Sequence, residues 1–215
     1  MSCCAPKGYQ ELFGERAARR DAKRYRRKGL DDTARRMADF LSGRDLDGAS
    51  VLEIGGGVGA IGVELLNAGA DHVVEVELSP SYERTAAELV RELGLEGRVE
   101  RRLGDVVAEG ETVPPADAVV MHRVVCCYPD VDALVGLAAA RAKRYLVLSF
   151  PRDRRLVRMG RLVINVWFRL RRWDFRFHLH ARDAIVSAAA RQGLRPAFEH
   201  TGSIWQVAAL ERGAS

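Results

Sequence analysis

The sequence predicts an α/β fold, a doubly wound seven-stranded and mostly parallel sheet that ends in a C-terminal antiparallel hairpin. From residue 50 onward, short apolar β-rich runs alternate with helical patterns, as βαβ units require. The last two β-rich runs are joined by a turn at Gly202 and Ser203, which predicts the hairpin. The chain of 215 residues is long enough for one substantial core, and no internal repeat or low-complexity linker divides it.

Two helices are predicted before the sheet begins. Tyr9–Lys28 is polar and rich in Ala and Arg, and the second helix spans Asp31–Leu41. Asp31 or Asp32 is the expected N-cap of the second helix, and Gly43 ends it. We therefore divide the chain into an N-terminal helical segment, residues 1–48, and a sheet domain, residues 49–215.

The sheet domain has seven predicted strands and four predicted helices, three of which end at a glycine. The strands are Val51–Ile54, His72–Leu78, Arg98–Leu103, Ala116–Met121, Tyr145–Phe150, Arg195–Thr201 and Ser203–Leu210. The helices are Val58–Ala68, Pro80–Leu93, Val131–Ala142 and Ala181–Gln192.

The charge of the chain is modest but clustered. The formal net charge is +5, with eight Lys/Arg between residues 16 and 28 and nine Arg between residues 152 and 176. A basic run alone does not indicate a nucleic-acid partner, so we expect a small-molecule substrate and no nucleic acid.

The sequence also indicates a cytoplasmic protein. The N-terminus lacks the apolar segment of a signal peptide, and no run approaches 18 uninterrupted apolar residues. The four cysteines form two adjacent pairs, Cys3–Cys4 and Cys126–Cys127, which chelate metals poorly, so no metal site is expected.

The stretch VLEIGGGVGAIG, from Val51 to Gly62, fits two ligand-binding patterns. Gly57, Gly59 and Gly62 give the dinucleotide pattern GxGxxG, whereas Glu53, Gly55, Gly57 and Gly59 give an acid-x-G-x-G-x-G loop that can hold S-adenosylmethionine (SAM). In both patterns an acid ending the second strand binds ribose hydroxyls, and Glu77 lies 20 residues after Gly57. The loop alone therefore leaves both cofactors open.

Three further features favour SAM. The negative charge of Glu53 gives no favourable interaction with an anionic pyrophosphate, but it interacts favourably with the cationic methionine moiety of SAM. Asp105 follows the third strand, where it can accept a hydrogen bond from an adenine amino group. The fourth strand runs into MHRVVCCYPD, which would lie beside the reactive end of the cofactor.

The successive motifs VLEIGGGVGAIG, VEVELSP, GDV and ADAVVMHRVVCCYPD resemble those of class I SAM-dependent methyltransferases over residues 50–210. HRVVCCYPD, SFPRDRR and the arginine-rich helix beyond them more narrowly resemble magnesium-protoporphyrin O-methyltransferases and their bacterial relatives. The resemblance implies a Rossmann-like methyltransferase fold with SAM as cofactor and S-adenosylhomocysteine (SAH) as product. It implies these cofactor-binding residues: Glu53, Gly55, Gly57, Gly59, Glu77, Leu78, Asp105, Val106 and His122.

The acceptor side has further candidates. His122 lies at the end of the fourth strand and is the leading candidate for a catalytic base, the alternative being a hydrogen bond to the loop backbone. Arg123 is a candidate to hold an anionic substrate or to pair with a surface carboxylate, and Tyr128 to cover the methyl group or to pack against the cofactor. Substrate-binding candidates are Tyr9 and Tyr25, on helices that often close over the site in such folds, and Arg161. The arginine-rich stretch 152–176, which contains Arg161, fits equally an amphipathic helix lying on an anionic membrane surface.

The leading hypothesis is methyl transfer from SAM to a small, partly apolar and anionic molecule, most readily at oxygen. Alternatives are an RNA methyltransferase, a thiol or metalloid methyltransferase that uses Cys3, Cys4, Cys126 and Cys127, a non-catalytic SAM-binding protein, and an NAD-dependent oxidoreductase.

Overall fold

A computed structural model describes residues 8–213 and contains a seven-stranded sheet with the order β3-β2-β1-β4-β5-β7-β6. The strands are β1 (Ser50–Ile54), β2 (His72–Glu77), β3 (Val99–Leu103), β4 (Ala116–His122), β5 (Ala142–Pro151), β6 (Leu194–Thr201) and β7 (Trp205–Arg212). The first five strands are parallel, and β7 pairs antiparallel with both β5 and β6. The predicted fold class and its C-terminal hairpin are confirmed.

The helices cover the sheet and precede it. They are α1 (Tyr9–Leu12), α2 (Glu15–Lys28), α3 (Asp32–Ser42), α4 (Ala60–Asn67), α5 (Glu83–Glu92), α6 (Val106–Glu109), α7 (Val131–Arg141), α8 (Arg155–Leu170) and α9 (Arg182–Ala190). Short 3₁₀ turns at Pro80–Tyr82 and Val125–Cys127 follow β2 and β4.

The central strands are buried on both faces because helices cover both sides of the sheet. Every residue of β1 is buried. Successive side chains of a strand point to opposite faces, so Val51 packs into one apolar layer and Leu52 into the other. The core therefore holds β1 and β4 rigidly, and the loops that leave their carboxyl ends start from fixed positions.

The single helix predicted over Tyr9–Lys28 is interrupted in the structure. It breaks between α1 and α2 at Phe13 and Gly14, and Gly14 is the N-cap of α2. The carbonyl of Phe13 accepts a hydrogen bond from Ser79 Oγ at 2.6 Å, so tertiary contact occupies it at the break. A Cβ on Gly14 would lie 2.5 Å from the carbonyl oxygen of Gln10, so only glycine fits this corner.

The structure also differs from the sequence prediction at the helices that follow β1 and β3. The helix after the glycine loop begins at Ala60 rather than Val58, because its N-cap Gly59 has a left-handed φ of 76°. The short helix α6, which follows β3, was not predicted; the side chain of Asp105 caps it by accepting from the Val107 N–H at 2.9 Å.

The strand order reverses between β1 and β4, so the connections that follow these two neighbouring strands run in opposite directions along the sheet. In open α/β sheets, such a switch point opens a crevice at the carboxyl ends of the strands. The glycine loop after β1 and the segment after β4 both border this crevice.

We expect Gly59→Ala to destabilise the fold by more than about 2 kcal/mol. Its φ is positive, and the added Cβ would clash with Oε1 of the buried Glu75. The matched control is Gly136→Ala in α7, where φ is not positive and a Cβ would meet nothing within 4 Å. That control should stabilise the protein by up to about 1 kcal/mol. Urea unfolding of both variants measures the difference, and equal stabilities would contradict it.

Candidate functional site

Two adjoining cavities occupy the crevice at the switch point. The larger, of about 300 Å³, lies under the N-terminal helices, and the smaller, of about 60 Å³, lies beside the ends of β2 and β3. They share four lining residues: Tyr9, Gly55, Val124 and Cys127. One elongated ligand can therefore span both.

The glycine loop approaches its neighbours too closely for side chains. Gly55, Gly57 and Gly59 all have positive φ, between 62° and 76°. A Cβ on Gly55 would lie 2.7 Å from a methyl carbon of Val124, so the loop after β1 and the segment after β4 meet here. Gly55 and Gly57 line the larger cavity, whereas Gly59 is not among its lining residues and serves as the N-cap of α4.

Two buried carboxylates accept hydrogen bonds from the glycine loop and from the first turn of α4. Glu53 Oε2 accepts from the Gly62 N–H at 2.8 Å, and Glu77 Oε2 accepts from the Gly57 N–H at 2.9 Å. Burial raises the pKa of Glu53 to about 7, because desolvation outweighs the hydrogen bond from Gly62. Burial also raises the pKa of Glu77, although the N–H groups of Ser79 and Gly57 oppose it. Both carboxylates line the larger cavity on the side of the glycine loop, which makes that side favourable for a cation.

Arg101 on β3 also supports the glycine loop, a role that was not predicted from the sequence. Its guanidinium forms an ion pair with the buried Glu75, donates to the Gly57 carbonyl at 3.1 Å, and pairs with Glu83 at 2.9 Å. Burial lowers the pKa of Arg101 to about 10. The sequence of β3 does not predict this role, because Arg101 comes to lie opposite Glu75 only through the register between β2 and β3.

The smaller cavity has apolar walls and one carboxylate. Leu78, Val106 and Asp105 line it, as does Tyr128, whose hydroxyl lies 3.4 Å from both carboxylate oxygens of Asp105. Three of these residues were expected to bind the cofactor, and the structure brings them together. Tyr128, predicted either to cover the methyl group or to pack against the cofactor, lies beside Asp105 in this cavity.

His122 occupies the end of β4 between two polar groups. Its Nδ1 lies 3.1 Å from Ser149 Oγ on β5, and its Nε2 lies 3.5 Å from Oδ2 of Asp31. Burial lowers the pKa of His122, although Asp31 opposes the shift. The imidazole is therefore neutral at neutral pH, with one nitrogen facing the N-terminal helices.

Asp31 is the second residue that sequence reasoning missed as part of the site. It was predicted only as an N-cap, and it does cap α3 by accepting from the N–H groups of Thr33 and Ala34 at 3.0 Å. Its other oxygen faces His122 and Arg123. Burial alone would raise the pKa of Asp31, but its contact with His122, the hydrogen bond from the Ala34 N–H and the charge of Arg123 together lower it. Asp31 is therefore a carboxylate at neutral pH.

Arg123 adopts a left-handed φ of 60°, which is unusual for a residue with a Cβ. Its N–H donates to Ser149 Oγ at 2.9 Å, and its guanidinium lies 3.1 Å from Asp31 and 4.8 Å from the ring centre of Trp205. Arg123 lines the larger cavity. The strained backbone thus turns one positive charge toward the cleft.

The predicted substrate-binding residues separate into two groups. Tyr9 lines both cavities and packs on Phe13 with ring centres 4.6 Å apart, and Tyr25 lines the larger cavity and donates to Glu64 at 3.1 Å. Arg161 lies on the exposed helix α8 and is not among the residues that line either cavity.

The described cysteines are close to each other and to the cleft. The sulfur atoms of Cys126 and Cys127 are 3.9 Å apart, and both donate to the Arg123 carbonyl. Cys3 and Cys4, their proposed partners in a metal or metalloid site, lie outside the described residues. Within residues 8–213, no group of three or more His, Cys, Asp or Glu side chains is arranged to hold a metal ion.

The raised pKa of Glu53 predicts a pH dependence of stability. The proton on Glu53 stabilises the folded state fully below pH 4.5, its ordinary pKa, and this contribution is lost as pH rises through about 7. We expect wild type to lose up to about 3 kcal/mol relative to Glu53→Gln between these limits, since glutamine stays neutral. Denaturant unfolding at several pH values measures this difference. Parallel pH profiles would show that Glu53 titrates normally.

The comparisons with known proteins address the fold. No protein-family model matches the chain, and no curated protein matches it. The chain is similar to magnesium protoporphyrin IX methyltransferase from Synechocystis PCC 6803 with bound SAH, at 20% identity and a TM-score of 0.74, covering 95% of this chain and 97% of that one.

Two other solved structures have the same architecture. Geranyl diphosphate C-methyltransferase from Streptomyces coelicolor A3(2) matches at 17% identity and a TM-score of 0.64, over 83% of this chain and 77% of that one. Human N-acetylserotonin methyltransferase with SAM matches at 16% identity and a TM-score of 0.66, over 96% of this chain and 59% of that one. The chain therefore has the Rossmann-like fold that SAM-dependent methyltransferases share.

Proposed function

We propose that the protein is a SAM-dependent methyltransferase that acts on a small molecule. The observation that carries the proposal is the placement of Glu77 and Asp105 at the carboxyl ends of β2 and β3, in line beside the glycine loop that follows β1 at the switch point. Two cavities that meet at Gly55 suit a ligand with a nucleoside at one end and an amino acid at the other.

The donor and acceptor groups fit an adenosine. Each carboxylate oxygen of Glu77 accepts one backbone N–H, from Gly57 and from Ser79, and each has a further lone pair for a ribose hydroxyl. Asp105 can accept from an adenine amino group while Leu78 and Val106 pack against the base. A neutral adenine is favoured over a charged group because the smaller cavity is mostly apolar in its lining.

The larger cavity fits the other end of the cofactor and the acceptor. When bound, SAM supplies a methyl group on a positively charged sulfur. Glu53 and Glu77 provide negative charge on the loop side of this cavity, and the carboxylate of Glu53 forms more readily beside a cation. A pyrophosphate would be repelled by the same two groups, which argues against a dinucleotide.

The remaining wall of the larger cavity supports an anionic and partly apolar acceptor. Arg20, Arg24 and Arg123 line it together with Leu12 and Leu30. Guanidinium groups bind carboxylates in a planar, bidentate geometry. Arg20 and Arg24 are therefore better placed than Arg161 to bind such a substrate. Arg161, on α8, stays a further candidate.

His122 is proposed as the base when the acceptor is a hydroxyl. If its Nδ1–H is donated to Ser149 Oγ, Nε2 keeps a lone pair toward the cleft and can accept the hydroxyl proton. Asp31, 3.5 Å from Nε2, then stabilises the imidazolium that forms. Asp31 is a positioning residue in this scheme, and through its cap it links the N-terminus of α3 to the base.

We expect SAH to bind the wild type with a micromolar dissociation constant by calorimetric titration. Glu77→Ala should weaken binding by more than about tenfold, since both ribose hydrogen bonds to a charged acceptor are lost. Asp105→Ala should weaken it less. Arg161→Ala is the matched control outside the cavities and should bind like wild type. A folded wild type that binds NAD but not SAH would overturn the proposal.

The pH dependence of kcat/KM tests the base. Activity should fall only at a pH below 6.5, the ordinary pKa of histidine, because burial lowers the pKa of His122. Below its pKa the imidazole is protonated and cannot accept a proton. Asp31→Asn should shift this acidic limb to lower pH and reduce kcat by about tenfold or more, because the imidazolium loses its partner.

His122→Asn should remove the acidic limb, whereas a purely structural Asp31 would lower kcat without moving it. A wild type that binds SAH but turns over no acceptor of this class would leave a non-catalytic SAM-binding protein as the answer.

A further inference from the structure

Helix α8 carries a continuous apolar stripe that the fold leaves exposed. Of the eleven exposed large apolar side chains in residues 8–213, seven lie on this helix. They are Leu156, Met159, Leu162, Val163, Val166, Trp167 and Leu170. Leu156 and Leu170, one at each end, are 80% and 78% exposed. Each of them lies three or four residues from another member of the set, so they form one face of the helix, with Leu162 at its edge.

The opposite face of α8 is fixed to the protein. Phe168 is fully buried and packs against Trp173, Phe175 and Phe177 in tilted pairs with ring-centre distances of 5.5 to 5.7 Å. The side-chain amide of Asn165 donates to the Phe177 carbonyl and accepts from the Phe177 N–H, both at 2.9 Å. The stripe therefore faces away from the protein because the other side of the helix is anchored.

Arginines border the stripe. By helical spacing, Arg155, Arg158 and Arg169 lie along one edge of it. The helix contains no Asp or Glu between residues 155 and 170, and the exposed ion pair of Arg158 with Asp153 accounts for one of these charges. On the other edge, the Arg171 guanidinium lies 5.0 Å from the ring centre of Trp167. An aromatic ring beside a cation at the boundary of an apolar surface is typical of side chains at a lipid headgroup layer.

We infer that α8 docks the protein on an anionic lipid membrane, with its apolar face among the acyl chains and its arginines among the headgroups. The helix lies in the plane of the interface and does not span the bilayer. In the part of the chain that is described, no helix combines the length and the apolar character needed to cross a membrane. This surface is separate from the cleft, so it holds whether or not the protein transfers methyl groups.

Charge complementarity favours lipid over a second copy of the chain. A two-fold symmetric pairing through the stripe would bring the arginine borders of both copies into one interface. No carboxylate on α8 is present to compensate them. Anionic headgroups supply that negative charge, and each arginine near such a surface contributes about 1 kcal/mol.

Flotation with lipid vesicles tests the inference on the full chain without cofactor or substrate. Wild type should float with vesicles of equimolar phosphatidylcholine and phosphatidylglycerol, and much less with phosphatidylcholine alone. The triple variant Leu156→Ser, Val163→Ser, Leu170→Ser should bind at least about tenfold more weakly, because it removes the most exposed apolar groups. Arg155→Gln and Arg169→Gln should each weaken binding about fivefold at low salt.

The matched control is Leu93→Ser, which removes a leucine that is 45% exposed beyond the end of α5. It should float like wild type. All the changed side chains are exposed, so unchanged thermal melting verifies that the variants fold. The inference is overturned if wild type stays unbound with anionic vesicles, or if the triple variant floats equally well. A lipid-free dimer that the triple variant loses, without flotation of wild type, would assign the stripe to a second copy.

Discussion

The hydrogen bonds between buried carboxylates and the glycine loop are the constraint on which the site depends. Glu53 holds the start of α4 through the Gly62 N–H, and Glu77 holds the loop itself through the Gly57 N–H. Buried carboxylates are costly, and their raised pKa values record this cost. The fold thus keeps two acids beside a cavity where a cationic ligand would lower their free energy, and Arg101 braces the same loop from β3.

Asp31 joins the stability of the N-terminal helices to the chemistry of the cleft. One of its oxygens caps α3, and the other faces His122 and Arg123. A single carboxylate therefore orders a helix that covers the cavity and sets the electrostatics at the end of β4. The covering segment and the proposed base cannot be altered independently, since any movement of α3 also removes the partner of the imidazole.

Different forces shape the cleft and the exposed face of α8. The cleft depends on a few hydrogen bonds of fixed geometry around the loop and His122. The α8 surface depends on apolar area and positive charge, which need no exact partner positions. The aromatic cluster under α8 links them physically, because Phe175 packs on Phe168 on one side and on Tyr9, a cavity-lining residue, on the other.

The sequence by itself determined the sheet class, the strand count and the position of the glycine loop. Strand alternation, helix-ending glycines and the spacing from Gly57 to Glu77 are local signals, so they can be read along the chain. Only the tertiary structure decided that Asp31 meets His122, that Arg101 reaches the loop, that Tyr128 lies beside Asp105, and that Arg161 lies away from the cavities. These pairings join residues distant in sequence, and their geometry is set by strand register and helix packing, which no local pattern encodes.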